Sequence, residues 1–171
     1  MAQPYSSIWP NRGSVCLLAL AGCAIATYLT LYQWGVSSGV WDGVFGSASS
    51  KAVLDSSLSK ALPVPDATLG AIAYAFEAVL AFAGGAERWR ESPWLVLLYG
   101  LVAAALAVTA LLLVLSQAFI VGSGCALCLV SASISLVNAW LAHAEVLATL
   151  RLLVSARSQH RPLWRVMAGS H

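Results

Sequence analysis

Four long apolar segments constrain what this chain can fold into more than any other feature of its sequence. They cover about residues 15–36, 66–85, 93–121 and 124–150. Each is close to or above the length of about 20 helical residues that crosses the hydrocarbon core of a bilayer. Few ionisable side chains interrupt them, chiefly Glu77, His143 and Glu145. The pattern predicts an all-α membrane protein, a single domain over residues 1–171 built as a bundle of four transmembrane helices.

The composition supports this class. Only 9% of the residues are charged and 60% are hydrophobic, whereas soluble domains carry about 25% charged residues. The formal net charge of +2 is small, and no basic run accompanies it, so we expect no nucleic-acid partner. The expected partner is the lipid bilayer.

The positive charges indicate how the bundle is oriented. Arg12 precedes the first segment, Arg88 and Arg90 separate the second from the third, and further arginines lie in the basic tail 151–171. The loop over residues 37–65 holds only two lysines. By the positive-inside rule both termini are cytoplasmic, and this loop lies outside the membrane. For a bacterial protein this means the inner membrane, with the loop in the periplasm.

The outer loop has a helix-like pattern of its own. Val53, Leu54, Leu58 and Leu62 recur at helical spacing, and Pro63 follows them. We expect a short helix here that caps the mouth of the bundle, forming an extracytoplasmic lid between the first and second transmembrane helices. A solvated loop is the alternative.

A CxxC pair opens the fourth segment. Structural zinc would need two further ligands beside Cys125 and Cys128, and none is near, so we expect no metal. A c-type haem site would need histidine at position 129, which is leucine. Plain packing is a remaining alternative. Glycines on either side of Ser123 break the preceding helix and Ser123 can cap the next one, whose N-terminus favours thiolates. The position therefore favours a redox-active pair, with a lipid-soluble quinone as its natural small-molecule partner.

The loop and the CxxC pair together resemble the vitamin K epoxide reductase family. The passage SKAVLDSSLSKALPVPDATLGAIAY, residues 50–74, is followed by CALC at the start of the last helix. The shared positions are Val53, Leu54, Ser56, Pro65, Gly70 and Tyr74. The resemblance implies a quinone-linked thiol–disulfide oxidoreductase, a helical bundle around a membrane quinone (ubiquinone or menaquinone) with the outer loop as its cap.

The resemblance also implies roles for single residues. Cys128 would face the quinone, and Cys125 would exchange electrons with a donor such as a periplasmic thioredoxin-like protein. Asp66 stands where the family places a polar residue toward the quinone. It is equally suited to cap the second helix, and the two roles are compatible.

Two positions depart from the family pattern. Ser50 stands where the nearer of two loop cysteines is expected, and Ala132 replaces an aromatic hydroxyl four residues after Cys128. We interpret the serine as a natural replacement. Because the loop cysteines relay electrons to the CxxC pair, their absence leaves a second function open: a non-catalytic quinone-binding or structural subunit of a larger membrane complex.

The remaining candidates have structural interpretations. Cys16 and Cys23 lie two turns apart on the first helix, too far to bridge each other, and are expected to pack. Glu77 is expected to extend toward the cytoplasmic side or to pair with His143.

Overall fold

The computed structural model describes residues 9–60, 63–85 and 87–158, and the regular structure in these ranges is helical with no strand. The helices are α1 Trp9–Gln33, α2 Ser47–Leu54, α3 Asp66–Phe82, α4 Arg88–Glu91, α5 Pro93–Ser116 and α6 Ala126–Ser158. A π-helical turn, Gln117–Val121, continues α5. The prediction of an all-α protein is confirmed.

Three helical segments of the described chain are long and apolar enough to cross a membrane, where the sequence predicts four. They are Arg12–Gln33, Pro93–Val121 and Ala126–Ser158. Their character is that of an integral membrane protein. The remaining predicted span is α3, which has 17 residues. At 1.5 Å per residue it is about 26 Å long, slightly short of a hydrocarbon core of about 30 Å.

Several predicted boundaries differ from the observed ones. The first helix ends at Gln33 instead of residue 36, and α3 ends at Phe82 instead of residue 85. In contrast, α6 continues to Ser158, past the predicted end at residue 150, so the first part of the basic tail is helical. Hydrophobicity marks the apolar part of a helix, whereas backbone hydrogen bonds can continue into polar flanks. Residues 159–171 lie outside the described ranges.

The four long helices pack as two pairs. α1 lies against α3 and α5 lies against α6, with further contacts between α1 and α6 and between α3 and α5. The buried positions of α1 alternate three and four residues apart, the spacing of helices that pack side by side in a bundle. They are Arg12, Val15, Ala19, Gly22, Ala26 and Leu29.

The loop helix is shorter than its sequence pattern predicts. α2 ends at Leu54, where Val53 and Leu54 are buried, but Leu58 is 42% exposed and contributes no buried face. Leu62 lies outside the described residues. Leu54 joins Leu29 and Val40 in an apolar cluster against which Cys128 packs. The loop therefore contacts the bundle at the start of α6.

The opposite end of the bundle is held by two buried arginines. Arg88 forms a two-point salt bridge with Glu145, with Nε–Oε1 at 2.5 Å and Nη2–Oε2 at 2.7 Å. Arg88 Nη1 also donates to carbonyls at the end of α3, including Leu80 O at 2.7 Å. Arg12 donates to a run of carbonyls from Ala81 to Gly85. Because the last carbonyls of a helix have no intrahelical partners, these guanidinium groups complete α3 and tie it to α1 and α6.

Candidate redox site

Cys125 and Cys128 form a disulfide, with their Cα atoms 5.2 Å apart. Cys125 immediately precedes the first residue of α6 and is completely buried, whereas Cys128 lies in the first turn and is partly exposed. The backbone N–H of Cys128 donates to Cys125 Sγ at 3.2 Å. An amide directed at this sulfur stabilises negative charge on it when the disulfide is reduced.

The backbone amides at the start of α6 are capped by residues from elsewhere in the chain. Gln117 Oε1 accepts from Cys125 N at 3.1 Å, and Asp42 Oδ2 accepts from Ala126 N at 2.8 Å. Ser49 Oγ accepts from Gly124 N at 3.0 Å. The sequence predicts Ser123 as the cap of this helix. Instead, the carboxylate of Asp42 in the loop and the carboxamide of Gln117 in the π-turn accept from the amides of Ala126 and Cys125. Free amides at a helix start are satisfied by such acceptors, and a carboxylate is favoured there by the helix dipole.

The π-helical turn places Gln117 for this contact. The turn ends at Gly122, whose φ of 64° lies in the left-handed region that glycine adopts at no steric cost. The carbonyl of Gln117 accepts from Ser123 N at 3.3 Å, so backbone and side chain of one residue both hold the link between α5 and α6. Such turns are frequent at functional sites.

Asp42 connects the outer loop to the first residue of α6. Its Oδ2 atom also accepts from the Ser50 hydroxyl at 2.5 Å, and its Oδ1 atom accepts from Val44 N and Phe45 N. The Ser50 hydrogen bond, helped by the backbone amides, lowers the pKa of Asp42 far below its ordinary value. Asp42 is therefore a carboxylate at neutral pH. Sequence reasoning missed it, although an aspartate before glycine is a common signal for such a turn.

A cavity of about 90 Å³ lies beneath the disulfide. Its walls are mostly apolar side chains of α1, α3, α5 and α6, and its polar lining includes Asp66, Tyr74, Gln117, Ser131 and Ser135. Cys128 lines the same cavity, whereas Cys125 does not. The structure therefore brings together two of the predicted site residues, Cys128 and Asp66.

Asp66 is the first residue of α3, and Pro65 occupies the capping position. The Asp66 Oδ1 atom accepts from Gln33 Nε2 at 2.7 Å and from Ser59 Oγ at 2.5 Å. It also accepts from the adjoining Ala67 N at 2.8 Å. The carboxyl thus fastens the start of α3 to α1 and to the loop while it lines the cavity.

Tyr74 is a cavity residue to which the sequence assigned no role. Its hydroxyl lies 2.5 Å from Ser135 Oγ and donates to Ser131 O at 2.6 Å, on either side of the small Ala132 in α6. The ring packs on α1 at Gly22, where an added Cβ would lie 2.7 Å from it. Only glycine lets the ring approach α1 so closely.

The other ionisable and sulfur-containing candidates do not line this cavity. Cys16 and Cys23 are free, as expected from their spacing. Glu77 does not pair with His143, because Asn138 on the facing α6 donates to it at 3.0 Å, and the His143 ring contacts Trp140 instead. Within the described ranges, no group of three or more histidine, cysteine or acidic residues could hold a metal ion.

The helices and the site define a class: an α-helical membrane protein with a CxxC disulfide beside an apolar cavity. The Vitamin K epoxide reductase family profile matches residues 14–143, from the start of α1 to the middle of α6. The chain belongs to this family, as the sequence motifs predict. Because the family is typically one of membrane oxidoreductases, the general enzyme class follows from membership. No curated protein sequence matches the chain.

Proposed function

We propose that this protein is a quinone-linked thiol–disulfide oxidoreductase whose redox centre is Cys125 and Cys128. The observation that carries the proposal is that Cys128 lines an apolar cavity together with Asp66. One sulfur of the disulfide lies on the cavity, and the other lies at the start of α6 under the outer loop. The pair can therefore take electrons from a thiol donor and pass them to an acceptor in the cavity. Cys128 is the residue for the membrane side, and Cys125 is the residue for the thiol donor.

The residues of the cavity fit a quinone headgroup. Its volume of about 90 Å³ is small beside the roughly 300–1,000 Å³ of drug-sized pockets. It therefore suits a compact ring headgroup, and a longer isoprenoid tail would have to leave between helices. Apolar walls suit the ring faces. Asp66, Tyr74 and the serines of α6 supply the few polar groups that orient a ligand by its oxygen atoms.

The proposed reaction balances without an additional reactant. The thiols of Cys125 and Cys128 lose two electrons and two protons as the S–S bond forms, and a quinone, ubiquinone or menaquinone, would supply the acceptor for both. Cys128 lines the cavity and would be the sulfur that faces the acceptor. Cys125 then closes the disulfide, its sulfur already held by the Cys128 amide. The Tyr74 hydroxyl donates to Ser131 O in the structure, and in this proposal it turns to an oxygen of the ring and stabilises the charge there.

The loop between α1 and α3 is proposed to act as a cap over this centre. Cys125 is fully buried, and the hydrogen bonds of Asp42 and Ser49 hold the loop against it. A donor such as a periplasmic thioredoxin-like protein therefore reaches Cys125 only after these bonds open. Ser50, at the position of a family loop cysteine, is buried under the same loop and cannot relay electrons.

We also propose that α3 is a fourth transmembrane helix and that Cys125 and Cys128 lie at the outer face of the membrane. Its 17 residues are at the lower limit for a span. Exposed apolar side chains cover its outer face, and they are Leu69, Ile72, Phe76, Val79 and Phe82. The arginine-rich end of the bundle is opposite the disulfide, which supports cytoplasmic termini in a bacterial inner membrane.

Two observations favour the alternative function, a non-catalytic subunit. The complete burial of Cys125 and the serine at position 50 are also what a non-catalytic subunit would show, one that holds a quinone or supports a larger membrane complex. In that case the loop would stay closed.

An anaerobic oxidation assay tests the proposal. In a Cys16→Ala, Cys23→Ala background, only Cys125 and Cys128 remain of the 4 cysteines. We expect a soluble quinone added to the reduced protein to remove both thiols while one equivalent of quinol appears.

The matched control adds Cys128→Ala to the same background and is expected to form no quinol. Thiols that persist in excess quinone would contradict the enzymatic proposal and favour the subunit.

A further inference from the structure

Below the cavity lies a buried polar pair that the proposed redox chemistry does not use. Glu77 on α3 and Asn138 on α6 both have no exposed surface. Asn138 Nδ2 donates to Glu77 Oε2 at 3.0 Å. The pair lies about one helical turn along α3 and α6 from the contact between Tyr74 and Ser135, which forms part of the cavity wall.

Two oxygen atoms of this pair have no hydrogen-bond partner, namely Glu77 Oε1 and Asn138 Oδ1. If Glu77 is ionised, both atoms are acceptors, and neither can satisfy the other. If Glu77 Oε1 carries a proton, it can donate to Asn138 Oδ1, because the carboxamide of Asn138 has both a donor and an acceptor. A carboxylic acid and a carboxamide then form two parallel hydrogen bonds, and one proton satisfies both atoms.

No cation of the described residues forms a salt bridge with Glu77. Among the described residues, the salt bridges are Arg88–Glu145, Lys60–Asp55 and Arg90–Glu87. The nearest predicted partner, His143, is exposed and contacts Trp140. A carboxylate buried in a helical bundle without a paired cation is strongly disfavoured, whereas a hydrogen-bonded neutral acid is not.

We propose that Glu77 is a protonated carboxylic acid in a reciprocal pair with Asn138, and that this neutral pair is a positioning element of the cavity. It joins α3 to α6 directly below the Tyr74–Ser135 contact. It therefore holds the two helices in the register that keeps the Tyr74 hydroxyl at the cavity wall. The positioning role rests on the proposed function of the cavity, whereas the protonation of Glu77 does not.

Infrared spectroscopy of the full-length protein, without any quinone, tests the protonation. We expect the carbonyl stretch of a protonated carboxylic acid in wild type at neutral pH. The band should be absent from Glu77→Gln and present in Glu87→Gln, which alters an exposed carboxylate of the α3–α4 turn. The absence of any band that depends on Glu77 would overturn the proposal, whatever the protein does with quinones.

Binding of a soluble short-chain quinone to the same variants tests the positioning role. Glutamine keeps both hydrogen bonds to Asn138 as an amide pair, so Glu77→Gln should bind the quinone as wild type does. Glu77→Ala and Asn138→Leu should bind it about tenfold or more weakly, because each leaves a buried polar group without a partner.

Rescue by glutamine is the result that separates this role from others. If Glu77→Gln binds as weakly as Glu77→Ala while remaining folded, the proton itself is required and the positioning role is wrong. If wild type binds no quinone at all, the proposed function fails, and the infrared result still decides whether the neutral pair exists.

Discussion

At the scale of single residues, Asp42 and Ser49 are the loop side chains that connect the outer loop to the start of α6 by hydrogen bonds, and Asp42 is the ionisable one. Asp42 accepts hydrogen bonds from Ser50, from two loop amides and from Ala126 at the start of α6. Protonation would remove its charge and one acceptor position from this set. Because Cys125 is fully buried under the same loop, we expect the protonation state of Asp42 to affect access to the disulfide.

We predict that acid opens this connection. The pKa of Asp42 is lowered in the folded protein, so its carboxylate stabilises the docked loop above the ordinary aspartate pKa of about 3.9. That stabilisation is lost as the pH falls below this value toward the folded pKa. The rate at which a water-soluble phosphine reduces the Cys125–Cys128 disulfide should therefore rise in this range.

Two variants identify the group responsible for the acid response. Asp42→Asn should be reduced several-fold faster than wild type at neutral pH, and its rate should lack the acid rise. Asp55, in the same loop, also has a lowered pKa, mainly through Lys60, so Asp55→Asn is the matched control and should keep the rise. Equal rates for Asp42→Asn and wild type at neutral pH would show that the carboxylate does not hold the loop.

A second residue-scale prediction concerns the close approach of Tyr74 to α1. A methyl group at Gly22 would lie 2.7 Å from the Tyr74 ring, so Gly22→Ala must displace the ring and overpack the interface, at a cost of about 1–3 kcal/mol. Gly13→Ala, also in α1, meets no atom within 4 Å and should not destabilise the protein. Thermal unfolding in detergent compares the two. Equal midpoints would mean that the ring does not pack on α1.

At the scale of helices, the end of α3 depends on ion pairing that the sequence does not display. All of α5 and more than half of α6 lie between Arg88 and Glu145 in the sequence, and both side chains are almost completely buried. Breaking a buried pair leaves an uncompensated charge, so Arg88→Met should lower the free energy of unfolding by about 3–5 kcal/mol. Equilibrium unfolding in mixed detergent measures this loss.

Two further variants separate the pair from a general loss of charge. Arg90→Met removes a half-exposed arginine from the same short helix and should cost about 0–1 kcal/mol. Adding Glu145→Leu to Arg88→Met should restore part of the stability, because the orphaned carboxylate is removed. The two residues would act independently if the double variant were less stable than Arg88→Met by the full loss of unfolding free energy that Glu145→Leu causes alone.

The helices show which features a sequence can and cannot predict. Apolar runs located α1, α5 and α6 because lipid-facing and core-facing positions are both apolar, and the Gly-Ser-Gly stretch located the break before α6. The partners of the polar groups were not predictable. Asp42 reaches Ala126 and Glu77 reaches Asn138 across distances of 84 and 61 residues. Such pairings follow from how helices dock in three dimensions, and a single sequence carries no period or spacing for them.

At the scale of the whole molecule, the candidate site arises where four separate segments meet. The disulfide belongs to α6, its amide acceptors come from the π-turn and the outer loop, and α3 supplies Asp66 and Tyr74 to the cavity. The CxxC motif and the family pattern led to Cys125, Cys128 and Asp66 as predicted site residues, and two of these, Cys128 and Asp66, line one cavity. The motif and the pattern did not identify Asp42 or Gln117, whose functions exist only after the segments have assembled.

The path of α3 across the bilayer determines whether the disulfide and the arginine-rich end face different compartments.

We predict that residues on either side of α3 are labelled from opposite sides of the membrane. In a Cys16→Ala, Cys23→Ala background, the exposed positions Ser57 and Glu87 are each replaced by cysteine, with Cys125 and Cys128 kept oxidised. A membrane-impermeant maleimide on intact bacterial spheroplasts should label Ser57→Cys at once and Glu87→Cys only after permeabilisation. Labelling of both positions from outside would mean that α3 does not cross. Labelling of Glu87→Cys alone from outside would reverse the proposed orientation and place Cys125 and Cys128 on the cytoplasmic side. Because the cytoplasm keeps thiols reduced, a centre that forms disulfides would have no stable product there.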